Sequence, residues 1–325
     1  MISCATVAES DRISPMNKID MSWGSPAFLI PYWETNGIKV ARQVDRDMTY
    51  NFGSRSGLKS LIRQLHEQEN NAIVEDRHIV IAAGATQIVL GLLHVLKKET
   101  GAGAAWANPP HFSRFPHLAE FAGLDWANKK NSIVISTIPN NPDGSLVLHK
   151  KTAILDLTYN WPQYLPNVHL YDHPVCVFSL SKATGHASTR IGWAILQDEL
   201  IARALEQYIE YSTSGLSIDS QLAAEAILSS QINSDYTVFE DGKKTLEDRI
   251  ELIEEIEDKL PFKILNMSGM FLWAEGECPK QIIGLDGRTL RGPEGTFRLN
   301  IGCSSENFVA FYNLFAKKKL TNIII

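Results

Sequence analysis

One stretch of the chain indicates both the fold and a ligand site, and it reads Ser179-Leu180-Ser181-Lys182-Ala183-Thr184-Gly185-His186-Ala187-Ser188-Thr189-Arg190-Ile191-Gly192-Trp193-Ala194. Apolar runs lie at both ends of this stretch and predict strands over Val175–Ser179 and Gly192–Leu196. Lys182 follows the first strand, and Arg190 comes eight residues later. A lone lysine is usually a surface residue. A lysine at a strand end, with a serine before it and an arginine after it, favours a binding role.

Similar apolar runs alternate with helical patterns through the first two thirds of the chain. The predicted strands are His78–Ala83, Ala104–Trp106, Ile133–Thr137, Ala153–Leu157, Val175–Ser179 and Gly192–Leu196. Most are rich in Val and Ile and do not alternate cleanly, which is typical of strands buried on both faces of a parallel sheet. Helical stretches such as Leu58–Asn70 and Thr86–Lys98 lie between them. The pattern predicts an α/β fold with a doubly wound, mostly parallel sheet.

Two further features concern the organisation of the chain. The interval from Pro142 to Ala153 is close to the lower limit for a crossover with a helix, so we expect a loop there. The later elements are predicted as helices Leu200–Tyr211, Ser220–Ser230, Val238–Leu260 and Glu306–Lys318, and as strands Phe262–Leu265, Phe271–Ala274 and Phe297–Ile301. This change of pattern predicts a smaller α+β C-terminal lobe. We expect residues 1–30 to pack with the small domain, residues 31–235 to form the large domain, and residues 236–325 to form the small one.

Composition excludes several classes of protein. Lys and Arg number 31 and Asp and Glu number 37, so the formal net charge is −6 and no basic stretch favours nucleic acid or an anionic membrane as partner. No apolar run approaches the ~18 residues of a transmembrane helix, and the N-terminus lacks the features of a signal peptide. The four scattered cysteines form no Cys-x-x-Cys pair, which favours a reducing compartment and no metal site. We therefore expect a soluble cytoplasmic protein.

Polar residues collect at the ends of four predicted strands. In chain order these ends carry Gly84-Ala85-Thr86, Pro139-Asn140-Asn141, Asp156 with Tyr159, and Ser179 with Lys182 and Arg190. In open α/β sheets, ligands bind beyond the carboxyl ends of the strands. Free N–H groups at the start of a helix suit a phosphate, and an aspartate in an apolar strand needs a cation or a donor. A plain tight turn would explain the glycine motif by itself.

Taken together, the four strand ends match the needs of one cofactor, pyridoxal phosphate. Its aldehyde requires an amine, and its pyridinium nitrogen requires a carboxylate. Its phenolic oxygen accepts hydrogen bonds, and its phosphate takes an arginine and helix N–H groups. Lys182, Asp156, Asn141 and Arg190 supply these groups, so pyridoxal phosphate is the predicted cofactor.

The stretch around Lys182 resembles the lysine segment of the fold-type I pyridoxal phosphate-dependent aminotransferases. Its Thr-Gly-His-Ala and Arg-Ile-Gly-Trp-Ala elements are similar to the branch that contains alliinases and plant tryptophan aminotransferases. Further matching stretches are 75–80, 139–144, 156–164 and 212–221, and a weaker match covers 297–300. The resemblance spans roughly Trp23 to Gln221 and implies that the large domain, residues 31–235, binds the cofactor.

The resemblance implies catalytic roles for three residues and cofactor contacts for others. Lys182 would form the Schiff base and move the substrate proton, and Asp156 would keep the pyridine nitrogen protonated. Asn141 and Tyr159 would hydrogen-bond the phenolic oxygen. Phosphate contacts are implied for Ala85, Thr86, Ser179 and Arg190.

The substrate contacts are also implied by the resemblance. Arg298 would bind the substrate carboxylate as a bidentate fork, and Gly24 and Asn141 would lie near it. Phe112 would stack on the pyridine ring, and the competing interpretation is a core residue. For Arg298 the competing interpretation is a surface salt bridge. His186 could be merely structural.

Aromatic residues near the N-terminus leave two readings open, and one contact of the family has no clear counterpart. Trp23, Phe28, Tyr32 and Trp33 either line an aromatic substrate pocket or simply pack together. The chain reads Gly24-Ser25-Pro26 where the family commonly reads Gly-Asp-Pro. Tyr50 or Phe52 could occupy the neighbourhood of the tyrosine that reaches the phosphate from a second subunit.

These features predict an aminotransferase that acts on an aromatic, tryptophan-like L-amino acid with a 2-oxo acid as acceptor. An alliinase-type carbon–sulfur lyase is the alternative, because both reactions begin with the same deprotonation. A catalytically inactive cofactor-binding protein and a deaminating oxidase also remain open. The resemblance implies a homodimer, since such sites lie at a subunit interface.

Overall fold

The computed structural model describes residues 18–40 and 53–320. Its strands are Ile19–Asp20 (β1), His78–Ala82 (β2), Ala104–Ala107 (β3), Asp125–Trp126 (β4), Ile133–Thr137 (β5), Thr152–Asp156 (β6), Val175–Ser179 (β7), Gly192–Leu196 (β8), Phe262–Ser268 (β9), Phe271–Gly276 (β10), Ile282–Ile283 (β11), Leu285–Asp286 (β12) and Thr296–Asn300 (β13). Its α-helices are Ile30–Thr35 (α1), Ser56–Glu69 (α2), Ala85–Thr100 (α3), Phe115–Phe121 (α4), Leu180–Ala183 (α5), Glu199–Thr213 (α6), Ile218–Ile232 (α7), Val238–Glu254 (α8) and Ser305–Phe315 (α9).

The large sheet has seven strands in the order β2-β8-β7-β6-β5-β3-β4. The neighbours from β7 through to β4 pair in parallel, and only β8 runs antiparallel to its neighbours β2 and β7. Every residue of β5, β7 and β8 is buried, as the unbroken apolar runs predict. Residues 142–151 form turns and loop without a helix, so the expected short crossover is confirmed.

Helices cover both faces of this sheet, and the strand residues alternate between two apolar clusters. Ile79 and Phe178 face the cluster that includes residues of α2, α7 and α8. Val80 and Val177 face the cluster that includes residues of α3, α4 and α6. The predicted doubly wound, mostly parallel α/β sheet is therefore confirmed. None of the helices in the described ranges is long and apolar enough to cross a bilayer.

A smaller antiparallel sheet, β12-β13-β10-β9, lies in the C-terminal part of the chain, as the predicted α+β lobe requires. The N-terminal segment contacts this part: Ile19 pairs with Ile282, and the N–H of Asn300 donates to the carbonyl of Met21. The boundaries at residues 30 and 235 stay predictions.

Helix α8 begins at Val238 as predicted, after a capping box formed by Thr237 and Glu240. It ends at Glu254, six residues before the predicted end at Leu260. Its last turn contains no basic residue, and acidic side chains there are unfavourable against the negative end of the helix dipole.

Candidate active site

A cavity of about 840 Å³ lies where β5, β6 and β7 end. The start of α3, the N-terminal segment and β13 complete its walls. All the site residues predicted from the sequence line it: Gly24, Ala85, Thr86, Phe112, Asn141, Asp156, Tyr159, Ser179, Lys182, Arg190 and Arg298. Residues more than 270 positions apart in the chain thus meet in one place.

Lys182 projects from the single turn of α5, which follows β7 directly. Ser179 begins this turn, because its Oγ accepts a hydrogen bond from the N–H of Ser181 at 3.2 Å. Tyr164 Oη and Gln163 Nε2 both donate to the carbonyl of Lys182, at 2.9 and 3.1 Å. These two hydrogen bonds fix the backbone of Lys182. Its side chain is half-buried, and its Nζ donates to the carbonyl of Gly24.

Asp156 is the last residue of β6 and is 7% exposed. Its Oδ1 accepts from the N–H of Thr158 at 3.1 Å, and its Oδ2 accepts from Thr137 Oγ1 at 3.4 Å. Burial raises the pKa of Asp156 to about 6, although these donors and the charge of Lys182 oppose the shift. A carboxylate in this position is stabilised by any cation that enters the cavity.

Arg298, Asn141 and Tyr159 form a chain of buried hydrogen bonds. Arg298 Nη1 donates to Asn141 Oδ1 at 2.6 Å, and Asn141 Nδ2 donates to Tyr159 Oη at 3.4 Å. Arg298 Nη2 donates to the carbonyl of Ser22 at 2.6 Å, and the guanidinium carbon lies 4.4 Å from the ring centroid of Phe271. Burial raises the pKa of Tyr159 well above its usual value.

Arg298 is only 3% exposed and makes no ion pair with a described carboxylate. Burial lowers its pKa to about 10, so the guanidinium remains charged at neutral pH. Its Nε has no hydrogen-bond partner among the described residues. The interpretation of Arg298 as a surface salt bridge is therefore wrong, and a buried cation of this kind suits an incoming carboxylate.

Another part of the cavity wall brings an arginine next to a helix start. Gly84 precedes α3 with φ +85°, and a Cβ there would lie 2.3 Å from Arg190 Nη2, so no other residue fits without displacing the guanidinium. Arg190 Nη2 donates to the carbonyl of Ala83 at 3.1 Å. The N–H groups of Ala85 and Thr86 lie in the first turn of α3, where the helix offers them no acceptor. This arrangement suits a phosphate.

Phe112 fits both of its sequence-based interpretations. Its ring is half-buried and lines the cavity, and it also packs edge-to-face on Phe115 with 5.5 Å between ring centroids. Gly24 lies beside the buried network, since a Cβ there would be 3.8 Å from both Arg298 Nη1 and Tyr159 Oη. That distance is ordinary contact, so space alone does not require glycine at this position.

Of the four aromatic residues Trp23, Phe28, Tyr32 and Trp33, Trp23 alone lines the cavity. Phe28 and Tyr32 belong to the core, and Trp33 Nε1 donates to the carbonyl of Thr184 at 2.9 Å. His186 packs against Trp33 with 4.5 Å between ring centroids and is not among the described residues that line the cavity, which fits a structural role. Tyr50 and Phe52, considered for the phosphate contact between subunits, lie outside the described residues.

Several residues of the site were not identified from the sequence. Thr137 is the last residue of a predicted strand, so its position was the available signal. Gln163 and Tyr164 fall within the matching stretch 156–164, but nothing in the sequence links them to Lys182. No pattern in the sequence points to Ser22 or Arg114, and only the tertiary structure places them at the cavity.

Comparison with known proteins agrees with this geometry. The family model Alliinase_C, described as Allinase, matches residues 19–264, which is most of the chain. The chain belongs to the alliinase family. Members of this family and its structural neighbours are pyridoxal phosphate-dependent, which confirms the predicted cofactor and the predicted branch.

Relatives carry two kinds of name. The chain is 34% identical over 248 residues to tryptophan aminotransferase-related protein 2 of Arabidopsis thaliana, covering 68% of this chain and 55% of that protein. It is 32% identical over 241 residues to tryptophan aminotransferase-related protein 2 of Oryza sativa subsp. japonica, covering 65% and 48%. It is 30% identical over 256 residues to alliin lyase of Allium cepa, covering 70% and 53%. The chain spans about half the length of these relatives.

Solved structures share the fold. A Thermus thermophilus aspartate aminotransferase double mutant superposes with a TM-score of 0.72 at 14% identity, covering 92% of this chain and 91% of that one. An aminotransferase from Staphylococcus aureus gives a TM-score of 0.70 at 17% identity, covering 95% and 96%. Fold type I is thereby confirmed.

The residues present fit pyridoxal phosphate. Asp156 is a buried carboxylate that would gain from a cationic ring nitrogen, and the space beside Arg190 and the start of α3 offers donors for a phosphate. The amine of Lys182 reaches the same cavity. Arg298 lines the same cavity, and its buried Nε has no hydrogen-bond partner among the described residues.

Proposed function

We propose that this protein is a pyridoxal phosphate-dependent aminotransferase that acts on an aromatic, tryptophan-like L-amino acid and uses a 2-oxo acid as acceptor. The observation that carries the proposal is one cavity lined by an amine, a buried carboxylate and a buried guanidinium that lacks a described acidic partner: Lys182, Asp156 and Arg298. The names of the tryptophan aminotransferase-related relatives support it.

When bound, pyridoxal phosphate supplies an electrophilic aldehyde and an electron-withdrawing ring that stabilises a negative charge at the substrate Cα. The Asp156 carboxylate would accept a hydrogen bond from the protonated ring nitrogen. Asn141 Nδ2 and Tyr159 Oη would donate to the phenolic oxygen. Ser179, Arg190 and the N–H groups of Ala85 and Thr86 would hold the phosphate, and Phe112 would limit movement of the ring.

Substrate would be oriented by residues at the other end of the cavity. Arg298 would bind the α-carboxylate through its guanidinium, beside Gly24 and Asn141. Lys182 Nζ would first be released from the carbonyl of Gly24. It would then accept and hold the proton from the substrate Cα. Apolar side chains on the wall, Trp23, Leu285 and Leu290, would exclude water around an aromatic side chain.

The central claim is tested by borohydride reduction followed by peptide mass analysis. Wild-type protein should retain the cofactor on the peptide that contains Lys182, and Lys182→Ala should retain none. Lys151→Ala is the matched control, because Lys151 is an exposed lysine away from the cavity. Retention of the cofactor elsewhere on Lys182→Ala would overturn the assignment.

A carbon–sulfur lyase is the second candidate, since alliin lyases are among the relatives. Separate incubations with tryptophan and with a cysteine sulfoxide, each without an acceptor, distinguish the two. An aminotransferase forms one equivalent of 2-oxo acid per subunit and turns over further only when an acceptor is added. A lyase releases pyruvate and ammonia continuously from a cysteine sulfoxide without any acceptor.

We also propose a homodimer, as the family resemblance implies, and a cytoplasmic location, as the acidic, cysteine-poor composition implies. Sedimentation velocity tests the first proposal. A monomer with full activity would contradict it.

A further inference from the structure

Arg114 lines the cavity but is not among the residues that would hold the cofactor or the substrate α-carboxylate. It lies two residues after Phe112, at the N-terminal end of α4, and its side chain is exposed on the cavity wall. Within residues 18–40 and 53–320, no hydrogen bond or ion pair holds its guanidinium. Arg190 and Arg298, in contrast, each donate to oxygen atoms of the protein.

The charges on the described cavity wall do not balance. Four cationic side chains line it, Arg114, Lys182, Arg190 and Arg298, against one carboxylate, Asp156. Under the proposed function, the cofactor phosphate would pair with Arg190, and the substrate α-carboxylate would pair with Arg298. Asp156 would be engaged by the ring nitrogen, so no carboxylate of the described cavity wall is then left for Arg114. A water-exposed cleft with an excess positive charge attracts a further anion.

We infer that Arg114 binds the second carboxylate of a dicarboxylic 2-oxo acid and that such an acid is the acceptor. This inference rests on the proposed function and names its acceptor class. A guanidinium pairs with a carboxylate through two parallel hydrogen bonds, and it also stacks on aromatic rings. The same residue can therefore accommodate an aromatic donor in one half-reaction and a dicarboxylic acceptor in the other.

The overall transfer balances without an outside oxidant or reductant. The donor's CH–NH3+ carbon becomes a carbonyl carbon, and the acceptor's carbonyl carbon becomes CH–NH3+. The second carboxylate of the acceptor takes no part in the bond changes. Arg114 would consequently affect recognition of the acceptor and not the proton transfer at the substrate Cα.

The first measurement is calorimetric binding of glutarate and butyrate, two unreactive acids, to the holoenzyme. We expect glutarate to bind wild-type protein at least about tenfold more tightly than butyrate, because a charged hydrogen-bonded pair contributes about 1.5–3 kcal/mol. Arg114→Gln should abolish this preference, and Arg114→Lys should restore part of it. Arg291→Gln is the matched control: Arg291 is exposed and lies near His111, but it does not line the cavity.

The second measurement compares acceptors with tryptophan as donor. The ratio of kcat/KM for 2-oxoglutarate over pyruvate should fall by roughly 10- to 100-fold in Arg114→Gln and stay at the wild-type value in Arg291→Gln. An unchanged ratio in Arg114→Gln would overturn the acceptor assignment.

The two measurements separate failure of the inference from failure of the proposed function. Equal binding of glutarate and butyrate, or an unchanged preference in Arg114→Gln, overturns the role of Arg114 whatever the activity. If no amino transfer from tryptophan occurs, the proposed function fails. Glutarate binding that depends on Arg114 would then still support a dicarboxylate at this position.

Discussion

Replacement of Asp156 by asparagine should stabilise the cofactor-free protein at neutral and alkaline pH. The side chain is buried at the end of β6, and burial raises its pKa from the ordinary 3.8 to about 6. Asparagine has the same shape, can still accept from the N–H of Thr158, and can donate toward Thr137. The substitution therefore removes the buried charge and keeps the packing.

The magnitude follows from linkage between protonation and folding. A carboxyl whose pKa is raised by folding binds its proton more tightly in the folded state, so the free energy of unfolding falls as the pH rises from about 4 to 6. Above pH 7 the full shift of about two units costs about 3 kcal/mol, and at pH 4 it costs less than about 1 kcal/mol. Asp156→Asn should recover these amounts at each pH, as order-of-magnitude values.

Urea unfolding of the apoprotein between pH 4 and pH 8 measures the effect. The matched control is Asp235→Asn, an exposed aspartate, which should change the unfolding free energy by no more than about 0.5 kcal/mol at any pH. Cofactor should reverse the order, because a cationic ring nitrogen stabilises the wild-type carboxylate and not asparagine. Equal unfolding free energies for wild type and Asp156→Asn at pH 8 would refute the reasoning.

Two further substitutions test the glycine beside the proposed phosphate site and a buried cation. Gly84→Ala should raise the dissociation constant of pyridoxal phosphate at least about tenfold in a fluorescence titration, because φ is +85° and the added Cβ meets Arg190. The control Gly103→Ala should leave this constant unchanged, because the space around Gly103 is open. An unchanged constant would contradict the proposed phosphate site. Arg249→Met should lower the free energy of unfolding, measured with urea, by roughly 3 kcal/mol or more, since two carbonyl groups just after β13 lose a buried donor. The control Arg203→Met, at an exposed arginine, should change the free energy of unfolding by at most about 0.5 kcal/mol. An effect as small as that of Arg203→Met would contradict the expected loss.

The strands of the large sheet were predictable because their signal is local. The predicted bounds of Ile133–Thr137, Val175–Ser179 and Gly192–Leu196 agree with the structure. An unbroken apolar run describes a strand with both faces buried, whatever it pairs with. The same runs do not encode direction, so the antiparallel orientation of β8 was visible only in the structure.

The substrate end of the cavity was less predictable because its contacts are distant in sequence. Arg298 reaches Asn141 across 157 residues, and its own surroundings in the sequence resemble an ordinary strand. Arg114 looks like any surface arginine until the fold places it on the same wall.

The amino-acid sequence by itself determined the buried strands of the large sheet, the polar strand ends and the cofactor they suit, because each depends on residues close together in the chain. The tertiary structure determined which of those ends share a cavity, that Arg298 is buried without a described acidic partner, and that burial raises the pKa of Asp156 to about 6. Burial and electrostatic interactions depend on every element packed around a side chain, so no local pattern could contain them.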